Sequence, residues 1–144
     1  MVVVATLVVN LPSVSFADAI DKRAVASAAD YFAKLDSGDL PGAYGQFSKS
    51  TKAVVSFKAW TSTLQNTSKV KSRNFTKTVA YDTEIGKLVV VEFNGPTEDG
   101  GRDCGYVVTD PEGAVVRVDS THVPGGASEN AQLKSILDQL PGCH

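Results

Sequence analysis

The apolar residues of this 144-residue chain change their spacing near residue 70, and that change constrains the fold more than any other feature. Before it they recur every three or four positions, as along one face of a helix. After it they alternate with polar residues, as on a strand with one buried side. Helices first and strands afterwards, without interleaving, is the order of an α+β fold in which helices pack on one face of an antiparallel sheet.

In the helical half, Val25, Ala28, Phe32 and Leu35 make the first stripe, with Arg23, Ser27, Asp30, Lys34 and Ser37 opposite. Gly38 stops this helix, because glycine takes the left-handed C-terminal conformation cheaply. Asp39 then caps a second helix that tolerates Pro41 in its first turn and buries Leu40, Ala43, Tyr44 and Phe47. A third is predicted from Ser56, with Phe57, Trp60 and Leu64 inward and Val55 stapled to Trp60 across the cap.

The strand half reads as segments 70–81, 88–93, 103–109 and 114–122. Between the last two, Asp110-Pro111-Glu112-Gly113 is a type I turn sequence, with proline pre-set at the second position and glycine closing. Pro124-Gly125-Gly126 ends the sheet. Ser128 is the predicted cap of a last helix with the stripe Leu133, Ile136, Leu137 and Leu140, stopped by Pro141-Gly142.

Ahead of all this, residues 1–17 carry no charge, and an apolar run over 2–9 gives way to Pro12, Ser13, Ser15 and Ala17. That is the layout of a secretory signal peptide, although no basic residue precedes the run. The run is shorter than the roughly 20 residues that a membrane-spanning helix needs. Small residues sit correctly for cleavage after Ala17 or after Ala19, so residues 1–19 read as signal peptide and 20–144 as a single mature domain, periplasmic or secreted. Export places the chain where thiols oxidise, and it holds two cysteines, so Cys104 and Cys143 are predicted to pair. The rival is a pair of free thiols, or a Cys143 that bonds between molecules.

The run Ala28-Ala29, Phe32, Leu35-Asp36-Ser37-Gly38-Asp39, Ala43-Tyr44, Phe47, Phe57, Trp60, Leu64 and Ser72-Arg73 resembles the bacterial domain-of-unknown-function family 4019. The similarity covers roughly residues 24 to 120. It implies the nuclear transport factor 2-like, or cystatin-like, superfamily: a cone in which N-terminal helices pack on a curved antiparallel sheet. Tyr44 stands where that family usually has tryptophan, and the C-terminal helix with its cysteine is an extra element. The resemblance also implies a pocket between sheet and helices, used by some relatives as isomerases, dehydratases or hydrolases.

Such a pocket needs a carboxylate or histidine facing a tyrosine or second acid to do chemistry. Tyr31, Tyr44, Tyr81, Tyr106, Asp103 and His122 are the candidates, and Trp60 joins Tyr44, Tyr106 and His122 as ligand contacts. His122 shares one strand face with Val116, Val118 and Ser120, although a lone histidine before Pro124 reads first as an edge residue. The chain has no nucleophile elbow, P-loop or Rossmann fingerprint, and two histidines and two cysteines spread this widely make no metal site of usual spacing. Nothing points to a cofactor.

Charge is unevenly laid out. No acid lies between Asp39 and Asp82, yet that stretch holds Lys49, Lys52, Lys58, Lys69, Lys71, Arg73 and Lys77; from Asp82 onward eleven acids face four bases. The seven cations are expected to form one basic face for an anionic envelope surface, or else simply to neighbour the acidic strands. Without interleaved aromatics, nucleic acid is not an expected partner. The sequence therefore reads as an exported module binding a small apolar ligand or a protein partner, with a small cavity enzyme as the alternative.

Overall fold

The computed structural model describes residues 20–64 and 69–144. The predicted signal peptide lies outside the described residues. Four helices precede a four-stranded antiparallel sheet, and a short helix ends the chain: α1 Lys22–Asp36, α2 Leu40–Gly45, α3 Lys49–Val54, α4 Phe57–Thr63, β1 Asn74–Thr83, β2 Gly86–Pro96, β3 Arg102–Thr109, β4 Val115–Val123 and α5 Ala131–Leu137. The strands lie side by side in chain order. The α+β class expected from the period change is therefore present.

Each of the first four helices begins on a side-chain cap. Asp21, Asp39, Ser48 and Ser56 accept hydrogen bonds from Ala24 N, Gly42 N, Thr51 N and Ala59 N. These bonds satisfy backbone donors that a helix cannot pair internally, and each is worth about 1 kcal/mol. α1 buries Ala24, Ala28, Tyr31 and Phe32, and ends where Gly38 turns left-handed at φ 83°. The third element, α3, has no buried residue and no apolar stripe, so periodicity gave no sign of it. It is held from outside: Ser48 N donates to Val115 O at 2.8 Å, and Thr51 Oγ1 to Val116 O at 2.9 Å.

The core is a layer of side chains from α1, α2, α4 and Phe47 against the inner sheet face, with Phe32, Phe47, Trp60, Val91, Phe93 and Val107 at its centre. The hairpin between β3 and β4 closes on the expected turn, Gly113 N donating to Asp110 O at 3.0 Å while the Asp110 carboxylate accepts from Glu112 N and Ala114 N. β1 starts later than predicted, because Val70 makes only an isolated bridge to Thr97. β1 is also an outer edge, with a bulge that shifts its register against β2 between Phe75 and Lys77. The opposite edge, β4, is covered at its start, where Val115 N donates to Gln46 O.

The C-terminal segment departs from expectation. Residues 127–129 make one 3-10 turn after Gly126 at φ 83°, so the α-helix starts later and Asn130, not Ser128, caps it, accepting from Gln132 N and Leu133 N. Only Leu137 of the predicted stripe is buried, Leu140 is half-buried, and Leu133 and Ile136 are exposed. What anchors the segment is covalent. Cys104 and Cys143 form a disulfide with Cα atoms 5.1 Å apart, inside the range a bridge requires. The two cysteines with Val123 and Leu137 make a second, small cluster. Gly142 lies so close to the carbonyls of Phe93 and Gly105 that a Cβ would collide with both. Among the described residues no helix is long and apolar enough to cross a membrane, and with the disulfide this is compatible with a secreted or periplasmic protein.

Candidate functional site

Between the helices and β4 lies a cavity of about 760 Å³. α1 supplies Tyr31, Leu35 and Asp36, α2 supplies Leu40 and Tyr44, α4 supplies Trp60, and β4 closes the far side with Val118, Ser120 and His122. Its two ends differ in chemistry.

One end is aromatic. Tyr44, Phe47 and Trp60 form a triangle with ring centroids 5.7–5.9 Å apart, and Phe57 lies 5.4 Å from Tyr44 on the outer side. The Tyr44 hydroxyl donates to Val55 O at 2.7 Å, which fixes the ring and satisfies its polar tip.

The other end is built on Arg73, whose side chain is 8% exposed. Its Nε and Nη2 donate to the two oxygens of Asp36 at 3.0 and 2.9 Å, and its Nη1 to Asp103. The guanidinium lies 3.8 Å from the Phe32 ring centroid, a cation–π contact in a desolvated place. Burial alone would lower the Arg73 pKa, but the hydrogen bonds to Asp36 and Asp103 and their charges outweigh it and raise it. Arg73 therefore stays a cation at any working pH. The planar fork suits two carboxylates in a way that a lysine ammonium would not.

Tyr31, 1% exposed, sits within the core and also lines the cavity. Burial pushes its phenol up to about 12, against a hydrogen bond from Trp60 and the Arg73 charge, which pull it down, while Asp36 adds to the rise. It is a neutral phenol at physiological pH.

His122 ends the β4 row. Sheet register sets it opposite Asp103, and its Nε2 lies 2.8 Å from Asp99 Oδ2. Asp99 is held in turn by Thr97 Oγ1 and Gly101 N. The Thr97 bond, then the Gly101 bond and finally His122 keep the Asp99 carboxyl below the usual carboxylate range, against the opposing effect of desolvation. The other ring nitrogen, Nδ1, is buried and has no hydrogen-bond partner among the described residues.

Of the sequence candidates, Tyr44, Trp60, His122, Tyr31 and Asp103 line the cavity. Tyr106 does not; its hydroxyl is 3.4 Å from Asp119 Oδ2. Tyr81 is exposed near the β1–β2 turn. The seven-cation face needs one correction: Arg73 is not on it, because Asp36 and Asp103 draw the guanidinium into the cavity wall. The signal was present in its parity, since Arg73 and the inward Phe75 are two residues apart on a segment entering a strand. The six lysines of the set spread over α3, α4, residues 69–71 and β1. Among the described residues, ion pairs form at Lys34, Arg73, Arg117 and Lys134, and at none of those six. Asp36 was missed because it read as part of a helix stop.

Among the described residues, no group of three or more His, Cys, Asp and Glu side chains is gathered for a metal ion. The charges around the cavity balance when His122 is neutral: Lys69, Arg73 and Arg117 against Asp36, Asp103 and Asp119. The arrangement can hold an apolar body against rings and offer donors and acceptors to a polar head, without favouring a net charge. Set beside protein-family models, curated proteins and solved structures, the chain matches none of them.

Proposed function

We propose that the protein is an exported binding module of the cone-shaped nuclear transport factor 2-like type, and that its cavity holds a small amphipathic ligand. The order of helices and sheet, and a cavity between them, support the fold reading. The observation that carries the function is the two-ended lining: Tyr44, Phe47 and Trp60 at one end, Arg73 with Asp36 and Asp103 at the other. Its volume of about 760 Å³ falls within the range usual for small-molecule sites, roughly 300–1,000 Å³. An apolar body gains by leaving water against the rings, and a neutral or dipolar head meets the remaining donors and acceptors without disturbing the charge balance.

Trp60 is the only tryptophan of the chain, so its fluorescence reports the cavity. Titration with the neutral dye N-phenyl-1-naphthylamine is expected to give saturable energy transfer from Trp60. Leu64→Arg, which puts a charge at the apolar end, should weaken that binding by about tenfold or more. Transfer that never saturates, or that ignores Leu64→Arg, sinks the reading.

One observation favours the alternative, a small cavity enzyme of isomerase, dehydratase or hydrolase type. His122 is oriented by Asp99 and has an unbonded Nδ1, the arrangement of a histidine that exchanges protons. Turnover of nitrophenyl esters that falls more than about tenfold in His122→Gln, with folding unchanged, would establish it; a tenfold loss is about 1.4 kcal/mol of transition-state stabilisation.

A further inference from the structure

The elbow between α3 and α4 carries features that the cavity does not use. Val54 is 83% exposed and Phe57 39%, although both lie in a segment fastened to the body of the protein. Neighbouring apolar side chains left in water and rimmed by charged residues are one mark of an interaction surface. Lys49, Lys52 and Lys58 flank this pair, with no acidic residue between Asp39 and Asp82. None of the three has a carboxylate within ion-pair reach among the described residues. Lys52 instead donates to Gly45 O and stands 6.0 Å from the Tyr44 ring centroid.

We propose that this elbow docks on an anionic lipid bilayer. Val54 and the outer edge of Phe57 enter the interface, while the lysine ammoniums remain at the level of the headgroup phosphates. Aliphatic lysine stems beside apolar anchors are suited to that boundary. Charge complementarity selects this occupant: the elbow is wholly basic, and the eleven acids against four bases from Asp82 onward turn the rest of the molecule away from a negative surface. The elbow is also preformed. The bonds of Ser48 N and Thr51 Oγ1 to β4 fix it, so docking need not order a loose loop. Phe57 touches the rings of Tyr44 and Trp60, which places the elbow beside the apolar end of the cavity. Passage of a ligand from the bilayer into the cavity rests on the function proposed above; docking itself does not.

Flotation of the protein with sealed vesicles tests the proposal. Binding is expected with equal parts phosphatidylglycerol and phosphatidylcholine, weaker as salt rises, and absent with phosphatidylcholine alone. Lys49→Gln and Lys58→Gln should each weaken it roughly fivefold. Val54→Asp, at a position exposed enough to tolerate the change, should weaken it by about tenfold or more. Lys134→Gln on α5 removes the same charge elsewhere and should leave it unchanged. Absence of flotation with the anionic vesicles overturns the proposal. So does flotation that ignores Val54→Asp, or that falls equally with Lys134→Gln. Capture by soluble heparin as tight as by vesicles, and indifferent to Val54→Asp, would assign the elbow to a polyanion and equally overturn it. Naphthylamine binding in the Val54→Asp protein keeps the two readings apart: if the dye still binds and flotation is lost, only the elbow is affected.

Discussion

The two sides of the sheet are held together by different physics. On the inner side, α1, α2 and α4 pack with β2, β3 and β4 into a cluster of twelve buried residues among those described, and even the deeply placed Arg73 is paired and stacked. On the side carrying α5, the cluster has four buried members among the described residues, and two of them are the disulfide. A helix of seven residues with Leu133 and Ile136 in water has little stability of its own. The inner side is stable through area removed from water, the outer through a restriction placed on the unfolded chain. Where a segment is too small to bury a core, a covalent bond substitutes for one.

Breaking the bond is the sharpest way to separate the two sides. Cys104→Ala with Cys143→Ala opens a loop whose ends are 39 residues apart in sequence. In the chain-entropy model that costs about 4 kcal/mol. Denaturant titration should show the loss, and hydrogen exchange should show α5 opening before α1. Equal acceleration of both helices would mean that they unfold as one unit and that the contrast is false.

A smaller effect is expected from Arg73→Met on the inner side, about 3 kcal/mol, at the low end for a broken buried pair because Asp36 is partly in water. The residual charge of Asp103 causes most of it, so adding Asp103→Asn should recover part of the loss in urea denaturation. A double variant no more stable than the single would show that Arg73 contributes by packing on Phe32 and not by charge.

The smallest effect concerns Tyr31. Below pH 10 the phenol is protonated in the folded and unfolded chain alike. From there to about 12 only the unfolded chain ionises, so stability falls as pH rises, by roughly 2–3 kcal/mol in all. Tyr31→Phe should remove that alkaline loss while Cys104→Ala with Cys143→Ala keeps it. An unchanged alkaline limb in Tyr31→Phe would place the titrating group elsewhere.

How legible the molecule was in its sequence follows the same division. α2 and α4 were readable because each has a cap residue followed by an apolar stripe, α1 from its stripe and the Gly38 stop, and the β3–β4 turn because Asp-Pro-Glu-Gly permits little else. α3 was not, since it has no stripe and is held by bonds to β4, a strand more than sixty residues away. α5 was read as a docked helix from apolar spacing that the fold leaves half in solvent. At the site, the aromatic wall could be anticipated from Tyr44 and Trp60. Arg73 was misassigned to a surface because a run of cations looks uniform until the sheet shows which one points inward. The pairing of His122 with Asp99 depends on strand register and on the turn after β2, neither of which a linear pattern contains.

The bulge in β1 has a consequence for how the protein behaves in company. An outermost strand is an unfinished ladder, and a second chain can complete it by lying alongside. Here the repeat is broken between Phe75 and Lys77, and a charged side chain stands at the break. A strand arriving in regular register would lose its hydrogen bonds there and find a cation beside it. One surplus residue, Thr76, thus helps to keep separate molecules separate in a crowded compartment, a task unrelated to either the cavity or the disulfide.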